Sequence, residues 1–228
     1  MQTLTEALWT LQPPGGLFDE TVITACFPAA TAAARRNLLY RAARAGEVTI
    51  LRRGLYVLAP PVCRAPIDPL ALPPLMYGPS YVSFETALRF HGLIPDLVRT
   101  IAAATSRRSR TFDTSLGRFE FLRVPVRRLM AGVRLETFDL EGQRVSGPIA
   151  SPIRALADLV YIRKEVPAKP DIQQLLQDSW RIDLDELAAA ITPQEFGETL
   201  ATYRHARVRR FLEEVRCLLA PKEKVRCT

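Results

Sequence analysis

An α+β fold in two parts is predicted by three observations along the 228-residue chain. Apolar residues recur at helical spacing up to about residue 45 and then alternate as in strands after Gly46. A proline-rich stretch follows, and beyond it strand patterns precede a series of helical patterns. The sequence therefore predicts an N-terminal domain (residues 1–60), a proline-rich linker (61–75) and a mixed α/β C-terminal domain (76–228) with a helical C-terminal tail.

The composition is that of a folded, basic protein. There are 31 Lys or Arg residues against 24 Asp or Glu, the formal net charge is +7, and 48% of residues are hydrophobic. This argues against wholesale disorder, and no apolar run approaches the ~18 residues that span a bilayer. The first residues show no positive and apolar leader pattern. We therefore expect a cytoplasmic protein with no membrane contact.

Arginine supplies nearly all of the positive charge. Lysine occurs only at positions 164, 169, 222 and 224, which leaves 27 arginines. Guanidinium groups bind phosphates and guanine edges bidentately, and this favours a nucleic-acid partner. A GC-rich genome would produce the same excess of arginine over lysine, so the placement of the arginines carries more weight than their number.

Three helices and a hairpin are predicted in the first 60 residues. The first helix begins at Thr3 or Thr5, Asp19 caps the second, and the third covers residues 30–45. Two short strands then follow, Val48–Ile50 and Leu55–Leu58, joined by residues 51–54. Three helices followed by a hairpin are the order of a winged helix-turn-helix. Between residues 35 and 64 this region carries seven arginines and one carboxylate.

The predicted DNA contacts lie on the third helix and at the hairpin tip. In a winged helix-turn-helix the N-terminal half of the third helix enters the major groove, and here it is rich in alanine. The hairpin tip reaches phosphates or the adjacent minor groove, and Tyr56 is expected to anchor the hairpin on the core. A solvated charged face and a protein-binding winged helix are the alternatives. The candidate DNA-binding residues are Thr31, Arg35, Arg36, Asn37, Arg41, Arg52 and Arg53.

The C-terminal domain is predicted as a mixture of strands and helices. A strand over Tyr81–Ser83 leads into a helix over Phe84–His91, and Ser151 with Pro152 marks a later helix start. Other strands are predicted at Thr100–Thr105, Arg118–Val124 and Val133–Asp139. Further helices are predicted at Asp171–Gln177, Asp183–Ala190 and, as one long helix, Pro193–Leu219.

A second concentration of arginine lies between Arg99 and Arg134. It holds nine arginines against two carboxylates. Residues 106–111 are predicted as a polar loop whose donors suit phosphate groups. DNA, RNA and an acidic protein surface all fit this charge, and a merely solvated loop fits it equally. The candidates for this second basic patch are Arg107, Arg108 and Arg110.

Neither a catalytic set nor a metal site is predicted. The four cysteines and two histidines lack the spacing of zinc ligands. His91 is expected to be structural, Asp158 to bond to a helix end or an arginine, and Glu85 to be a capping partner or a surface residue. Neither a Glu-x-Lys nuclease motif nor a glycine-rich phosphate loop occurs. We expect no enzyme activity and no cofactor, and a nuclease is the enzymatic alternative.

Three short segments follow one another in an order shared by a known family. The first is the hairpin sequence Arg53–Leu58, the second is Tyr81–Leu88 continued by His91–Pro95, and the third is Ala150–Tyr161. They are similar to the R-R-G-hydrophobic-Y, S-x-x-(S/T)-A-L…G-L and A-S-P-E-(K/R)-A-L-x-D segments of AbiEi-type antitoxins. Ile153 stands where that family commonly has an acidic residue. The chain thus resembles the antitoxins of type IV toxin–antitoxin (abortive infection) systems.

The resemblance implies a function for each domain. The winged helix would bind inverted repeats in double-stranded operator DNA, where two copies can bind as a dimer, and repress its own operon. The C-terminal domain would counter a nucleotidyltransferase toxin. Type IV antitoxins were classed as acting without a stable toxin complex, so direct binding is left open. The alternative is a winged-helix transcriptional regulator whose C-terminal domain senses a ligand or a partner.

Overall fold

Two β-sheets organise the chain, and helices surround both. The computed structural model describes residues 3–60, 62–63, 67–95, 100–125, 127–140, 143–167 and 171–220. These residues form a mixed α+β structure with a helix-rich N-terminal region, in agreement with the predicted class. Arg64, Arg99 and residues 221–228 of the predicted C-terminal domain lie outside the described residues.

The N-terminal region contains three helices and a three-stranded antiparallel sheet. In chain order its elements are α1 (Leu4–Leu11), β1 (Leu17–Asp19), α2 (Glu20–Cys26), α3 (Ala32–Arg44), β2 (Val48–Arg52) and β3 (Leu55–Leu58). The central strand is β3, which pairs with β1 on one side and β2 on the other. The three helices and the hairpin were predicted, whereas β1 is only three residues long and leaves no alternation to detect.

Side-chain caps explain where α1 and α2 begin. The Thr3 hydroxyl accepts from the Glu6 backbone N–H, and the Glu6 carboxylate accepts from that of Thr3. Asp19 accepts from two backbone N–H groups at the start of α2. Each cap satisfies N–H groups that lack a partner within the helix. Both caps were identified in the sequence, where Thr3 was one of two choices.

The C-terminal region is built on a six-stranded mixed sheet. Its strands run in the order β6-β7-β5-β4-β9-β8, and the β5–β7 and β4–β9 pairs are parallel. The strands are β4 (Ser80–Val82), β5 (Thr100–Thr105), β6 (Arg110–Thr114), β7 (Gly117–Arg123), β8 (Val133–Leu140) and β9 (Gln143–Ala150). The helices are α4 (Pro73–Tyr77), α5 (Phe84–Phe90), α6 (Pro152–Ile162), α7 (Ile172–Gln174), α8 (Leu184–Ala190), α9 (Pro193–Thr202) and α10 (Ala206–Leu219). Residues Pro69–Ala71 form a 3₁₀ turn, and a π-helical turn, Leu175–Ser179, follows α7.

Two expectations for the C-terminal region are corrected. The predicted polar loop at residues 106–111 is partly strand, because Arg110 begins β6 and pairs with Phe121 of β7. The single helix predicted over Pro193–Leu219 is two helices, which Tyr203–His205 separate. Tyr203 is extended and buried, and its hydroxyl bonds to Asp158. This tertiary contact interrupts a sequence whose spacing is helical throughout.

The two faces of the six-stranded sheet have different covers. In β5, Ala102 and Ala104 belong to a core shared with α5, α6 and α10, while Ala103 belongs to a core on the opposite face. That second core also holds Phe119 and Phe121 of β7. Helices α9 and α10 pack on α6, so they belong to the helical layer that covers the first face.

The second core joins the two regions of the chain. Val57 lies on the face of β3 opposite Tyr56 and packs, together with Leu51, into the core of Phe119 and Phe121. Residues 67–76 lie in this core and contribute Ile67, Ala71, Leu72 and Met76. The described part of the predicted linker is therefore folded, although the domain limits at residues 60 and 76 remain a prediction. A hydrogen bond of 2.9 Å between the Thr49 and Ser115 hydroxyls adds a polar contact.

Candidate nucleic-acid interface

The outer face of α3 presents several of the predicted contact residues to solvent. Thr31 caps the helix by accepting from the Ala34 backbone N–H at 3.2 Å. Arg36, Asn37 and Arg41 are exposed, as are the small side chains of Ala32–Ala34. The Arg41 Nε donates to the Asn37 carbonyl at 3.4 Å, which keeps this side chain along the helix. The face is therefore open for close approach of a partner.

Arg35 has a different position from its neighbours. Its side chain is half-buried, and Nη1 donates to the carbonyls of Ala30 and Phe27, the latter at 3.4 Å. Both carbonyls belong to the turn between α2 and α3. The prediction placed Arg35 among the outward contacts, whereas this geometry assigns its guanidinium to holding that turn.

At the hairpin tip, Arg52 and Arg53 have different surroundings. Arg53 is exposed and is followed by Gly54, whose φ of +79° lets a two-residue turn join β2 to β3. Arg52 is half-buried and donates to the Arg53 carbonyl at 2.9 Å and to the Leu75 carbonyl at 3.3 Å. Arg52 therefore ties the hairpin to α4, and Arg53 is the freer of the two. Tyr56 is buried against Phe18, with ring centroids 5.5 Å apart, as an anchor requires.

A cavity joins α3 to the hairpin tip. Its volume is about 270 Å³, and Arg36 and Arg53 both contribute to its wall. Residues from α2, α3 and the hairpin line it, namely Glu20, Ile23, Thr24, Ala32, Arg35, Arg36, Leu39, Arg53 and Tyr56. The structure thus brings together the two parts of the chain that the sequence predicts to bind DNA.

A larger groove lies between the hairpin and the second basic patch. Its volume is about 950 Å³, and four arginines of two distant segments face it. None of the described lining residues is acidic; they are Arg52, Arg53, Pro74, Leu75, Met76, Tyr77, Gly78, Arg107, Arg110 and Phe112. Arg108 follows Arg107 in the chain and is exposed, but it is not part of the groove wall. Arg53 lines both cavities, so the basic surface continues from α3 across the hairpin to β6.

Three aromatic residues at this surface were not predicted. Tyr40 on α3 is 64% exposed. Tyr77 and Phe112 support the arginines of the groove: Arg107 lies 5.0 Å from the Tyr77 ring centroid, and Arg110 lies 4.7 Å from that of Phe112. For Phe112, the one sequence signal of a place at this surface is that Arg110 lies two residues before it. For Tyr77 there is no local signal, since Arg107 is 30 residues away in the chain.

Several other arginines are bound by the protein itself. Arg134 forms a two-pronged ion pair with Glu195 and donates to the Ala190 carbonyl at 2.9 Å. The Glu195 side chain and charge raise the pKa of Arg134 above its ordinary value. Arg207 donates to four backbone carbonyls at and beyond the end of α6, those of Val160, Tyr161, Arg163 and Val166. These arginines stabilise the fold and are not part of the open basic surface.

A buried polar cluster lies in the C-terminal region. Asp158 and Arg154 are fully buried and form an ion pair, with 3.0 Å between Arg154 Nε and Asp158 Oδ1. Asp158 also accepts from the hydroxyls of Tyr81 at 2.8 Å, Ser83 at 2.6 Å, and Tyr203. Burial followed by the Asp158 charge raises the pKa of both tyrosines well above the ordinary value. The expectation that Asp158 bonds to an arginine is confirmed, and a fully buried, satisfied carboxylate offers no access to a substrate.

The remaining candidate residues also have structural partners. His91 Nε2 bonds to the Ala150 carbonyl at 2.8 Å, and burial lowers the pKa of this imidazole. Glu85 forms an ion pair with Arg163, so it is not the capping partner of Ser83. In the part of the chain that the structure describes, no group of three or more His, Cys, Asp or Glu side chains could hold a metal ion. No described helix has the length and apolar character needed to cross a membrane.

Neither the scan against protein-family models nor the search of curated proteins finds a match for the chain.

Proposed function

We propose that residues 3–58 form a winged helix-turn-helix that binds duplex DNA, and that the protein is an antitoxin and autorepressor. The observation that carries the DNA-binding part is the shared position of Arg36 and Arg53, which line one cavity at the meeting point of α3 and the hairpin. Phosphate binding needs cations on a common surface, and these two come from the elements that a winged helix uses.

The order of elements supports the winged-helix interpretation. A helix, a strand, two helices and a hairpin follow one another, and the three strands form one antiparallel sheet. In this arrangement α3 is the recognition helix and the turn at Arg53 and Gly54 is the wing. Asn37 is exposed on α3 and can bond to a base edge, whereas Arg36 and Arg53 suit phosphates.

The antitoxin part rests on the resemblance to AbiEi-type proteins. Two of the three similar segments meet in the buried cluster, where Tyr81 and Ser83 donate to Asp158. Residues that the family pattern specifies at separate places therefore serve one structural purpose here. This supports the proposal, because isolated short matches would have no reason to converge.

A mobility-shift titration tests the DNA-binding part. The full chain is mixed with duplex DNA from the region upstream of its own gene, or with a scrambled duplex of equal length and composition. We expect preference for the upstream duplex, and we expect Arg36→Ala with Asn37→Ala to remove it. Arg204→Ala is the control, because this exposed arginine lies between α9 and α10, in the layer on the other face of the six-stranded sheet. Equal binding of both duplexes by the unaltered chain would overturn the proposal.

A growth assay tests the antitoxin part. For this assay, a gene that lies beside this one and encodes a nucleotidyltransferase is expressed alone or together with the chain. Restored growth on co-expression is the expected result. Continued growth arrest, in cells where upstream DNA is still bound, would refute the antitoxin role and favour a regulator that acts on transcription alone.

A further inference from the structure

We propose that the four-arginine groove between the hairpin and β6 binds the sugar-phosphate backbone of the same DNA duplex, beyond the stretch that α3 and the hairpin contact. The groove is formed by Arg52, Arg53, Arg107 and Arg110 with neighbouring apolar and aromatic residues. This inference rests on the proposed DNA binding, and it gives the C-terminal region a direct share in that binding.

The aromatic residues of the groove hold two guanidinium groups in place. Arg107 lies over Tyr77 and Arg110 over Phe112, at 5.0 and 4.7 Å from the ring centroids. A guanidinium stacked on a ring keeps its N–H groups directed outward along its edge, where they can bond to two phosphate oxygens. Arg107 also donates to the Gly78 carbonyl at 3.3 Å, which fixes one end of its planar group.

The charge around these arginines favours an anionic polymer. Arg107 and Arg110 are exposed, and the described lining of the groove contains no carboxylate to neutralise them. The nearest acidic residue in sequence, Asp113, is directed to an exposed pair with Arg118 at 3.8 Å. Such a row of uncompensated cations suits the regular phosphate spacing of a nucleic-acid backbone.

Continuity with the winged-helix surface favours the same duplex as the ligand. Arg53 lines both the groove and the cavity that Arg36 shares, so a backbone leaving α3 meets the groove next. Arg52 bridges the two regions through its bond to the Leu75 carbonyl, and Thr49 bonds to Ser115. The helix in the described wall of the groove, α4, is only five residues long, and the charged groups of that wall are arginines. The contacts would therefore be to phosphates and independent of sequence.

The test compares two full-length variants on two lengths of duplex. Arg107→Ala with Arg110→Ala removes two of the four groove cations, and Arg204→Ala is the control for loss of an exposed arginine elsewhere. On a long duplex that extends beyond the hairpin, we expect about a tenfold weaker Kd, because charge-assisted bonds to phosphate are lost. The slope of log K against log salt should decrease in magnitude by about 2, since each phosphate contact contributes roughly 0.9. A duplex that ends under the hairpin should show neither change.

Further measurements separate this inference from the proposed function. The loss should be equal for upstream and scrambled duplexes, and the lysine double variant should keep the salt slope because it keeps the charge. The groove proposal alone would be refuted if Arg107→Ala with Arg110→Ala left the affinity and the salt slope unaltered. In that outcome Arg36→Ala with Asn37→Ala would still lose the preference for the upstream duplex. Absence of duplex binding by the unaltered chain would overturn both proposals. A loss confined to single-stranded RNA of equal length would assign the groove to RNA and refute this inference. Equal unfolding midpoints of the variants establish that they are folded.

Discussion

Arg107 and Arg154 lie at the same distance from a tyrosine ring and yet have opposite roles. Each guanidinium carbon is 5.0 Å from a ring centroid, Tyr77 for Arg107 and Tyr81 for Arg154. Arg107 is exposed at a groove, whereas Arg154 is fully buried and paired with Asp158. Burial lowers the pKa of Arg154, but the charge of Asp158 and the two phenols reverse this and raise it above the ordinary value.

The difference shows why the number of arginines says little about function. Some arginines use their donors within the protein. Arg154 pairs with Asp158, Arg134 pairs with Glu195, and Arg207 donates to backbone carbonyls. An arginine stacked on a ring at an open surface keeps its edge for a ligand. The sign of the charge is the same in both places, so only the partners distinguish structural from binding residues.

The largest effect is expected for Asp158→Ala. This change leaves the Arg154 charge buried and unpaired and removes the acceptor of three hydroxyl groups. We expect the free energy of unfolding to fall by about 3–5 kcal/mol. Urea denaturation measures it, and Asp113→Ala is the control because its pair with Arg118 is exposed.

A double variant sharpens this prediction. Replacing Arg154 and Asp158 together with apolar residues of similar volume should recover part of the loss, because no uncompensated charge then remains. If Asp158→Ala lowered the free energy of unfolding no more than Asp113→Ala does, the structural role of the Arg154–Asp158 pair would be refuted.

A smaller loss is expected for Tyr203→Phe. The Tyr203 hydroxyl is buried and donates to Asp158 from the break between α9 and α10. Its removal leaves a buried carboxylate oxygen with one donor fewer, at a cost of about 1–3 kcal/mol. The same substitution at Tyr40, which is 64% exposed, is the matched control and should change the unfolding free energy little. Equal effects at the two positions would contradict the importance of the buried bond.

A still smaller effect is expected at the other tyrosine of the comparison. Tyr77→Leu removes the ring beneath Arg107 and should weaken duplex binding two- to fivefold, which corresponds to about 0.5–1 kcal/mol for an exposed cation–π contact. Tyr77→Phe keeps the ring and should bind as the unaltered chain does. A fluorescence anisotropy titration on the long duplex measures both. If Phe and Leu weaken binding equally, stacking does not position Arg107.

The smallest effect is expected from His91, a half-buried imidazole that bonds to the Ala150 carbonyl. Burial is the largest influence and lowers the pKa of His91, and the nearby Arg134 charge also lowers it. The hydrogen bond to Ala150 and the charges of Glu136 and Glu195 raise the pKa, but the net result is a lowered pKa. The unfolded chain therefore takes up this proton first as the pH falls below about 6.5, and stability is lost in that range. Unfolding at pH 7.5 and 5.5 measures the loss, which His91→Gln should reduce. An equal loss in the variant would contradict the assignment.

The sequence predicted what local patterns encode and missed what distant contacts decide. The cap at Asp19, the helix that follows Asp183 and the strand Thr100–Thr105 follow from residue type and spacing, and the structure contains them. The break at Tyr203 could not be predicted, because its cause is a bond to Asp158, which lies 45 residues earlier. Folding of Pro69–Tyr77 was likewise missed, since a proline-rich segment becomes ordered only by packing on both sheets.

The candidate site shows the same division. Exposure of Arg36, Asn37 and Arg53 agrees with the amphipathic pattern of α3 and with the hairpin turn. The inward role of Arg35 depends on carbonyls of the preceding turn, which no periodicity reveals. The groove was not foreseen as one surface, because Arg53 and Arg107 belong to segments that only the shared core brings together.

That shared core has a consequence for how a ligand is met. Leu51 and Val57 of the hairpin pack against the same residues as Phe121 of β7, so the hairpin is packed against the six-stranded sheet in the absence of any partner. A ligand that contacts both the α3–hairpin surface and the groove therefore does not have to align two loosely linked domains. The entropy cost of that alignment is part of folding and not of binding. By the same logic, a fragment cut after residue 66 would leave two apolar side chains in water, and its weaker binding would report a damaged scaffold as much as a missing contact.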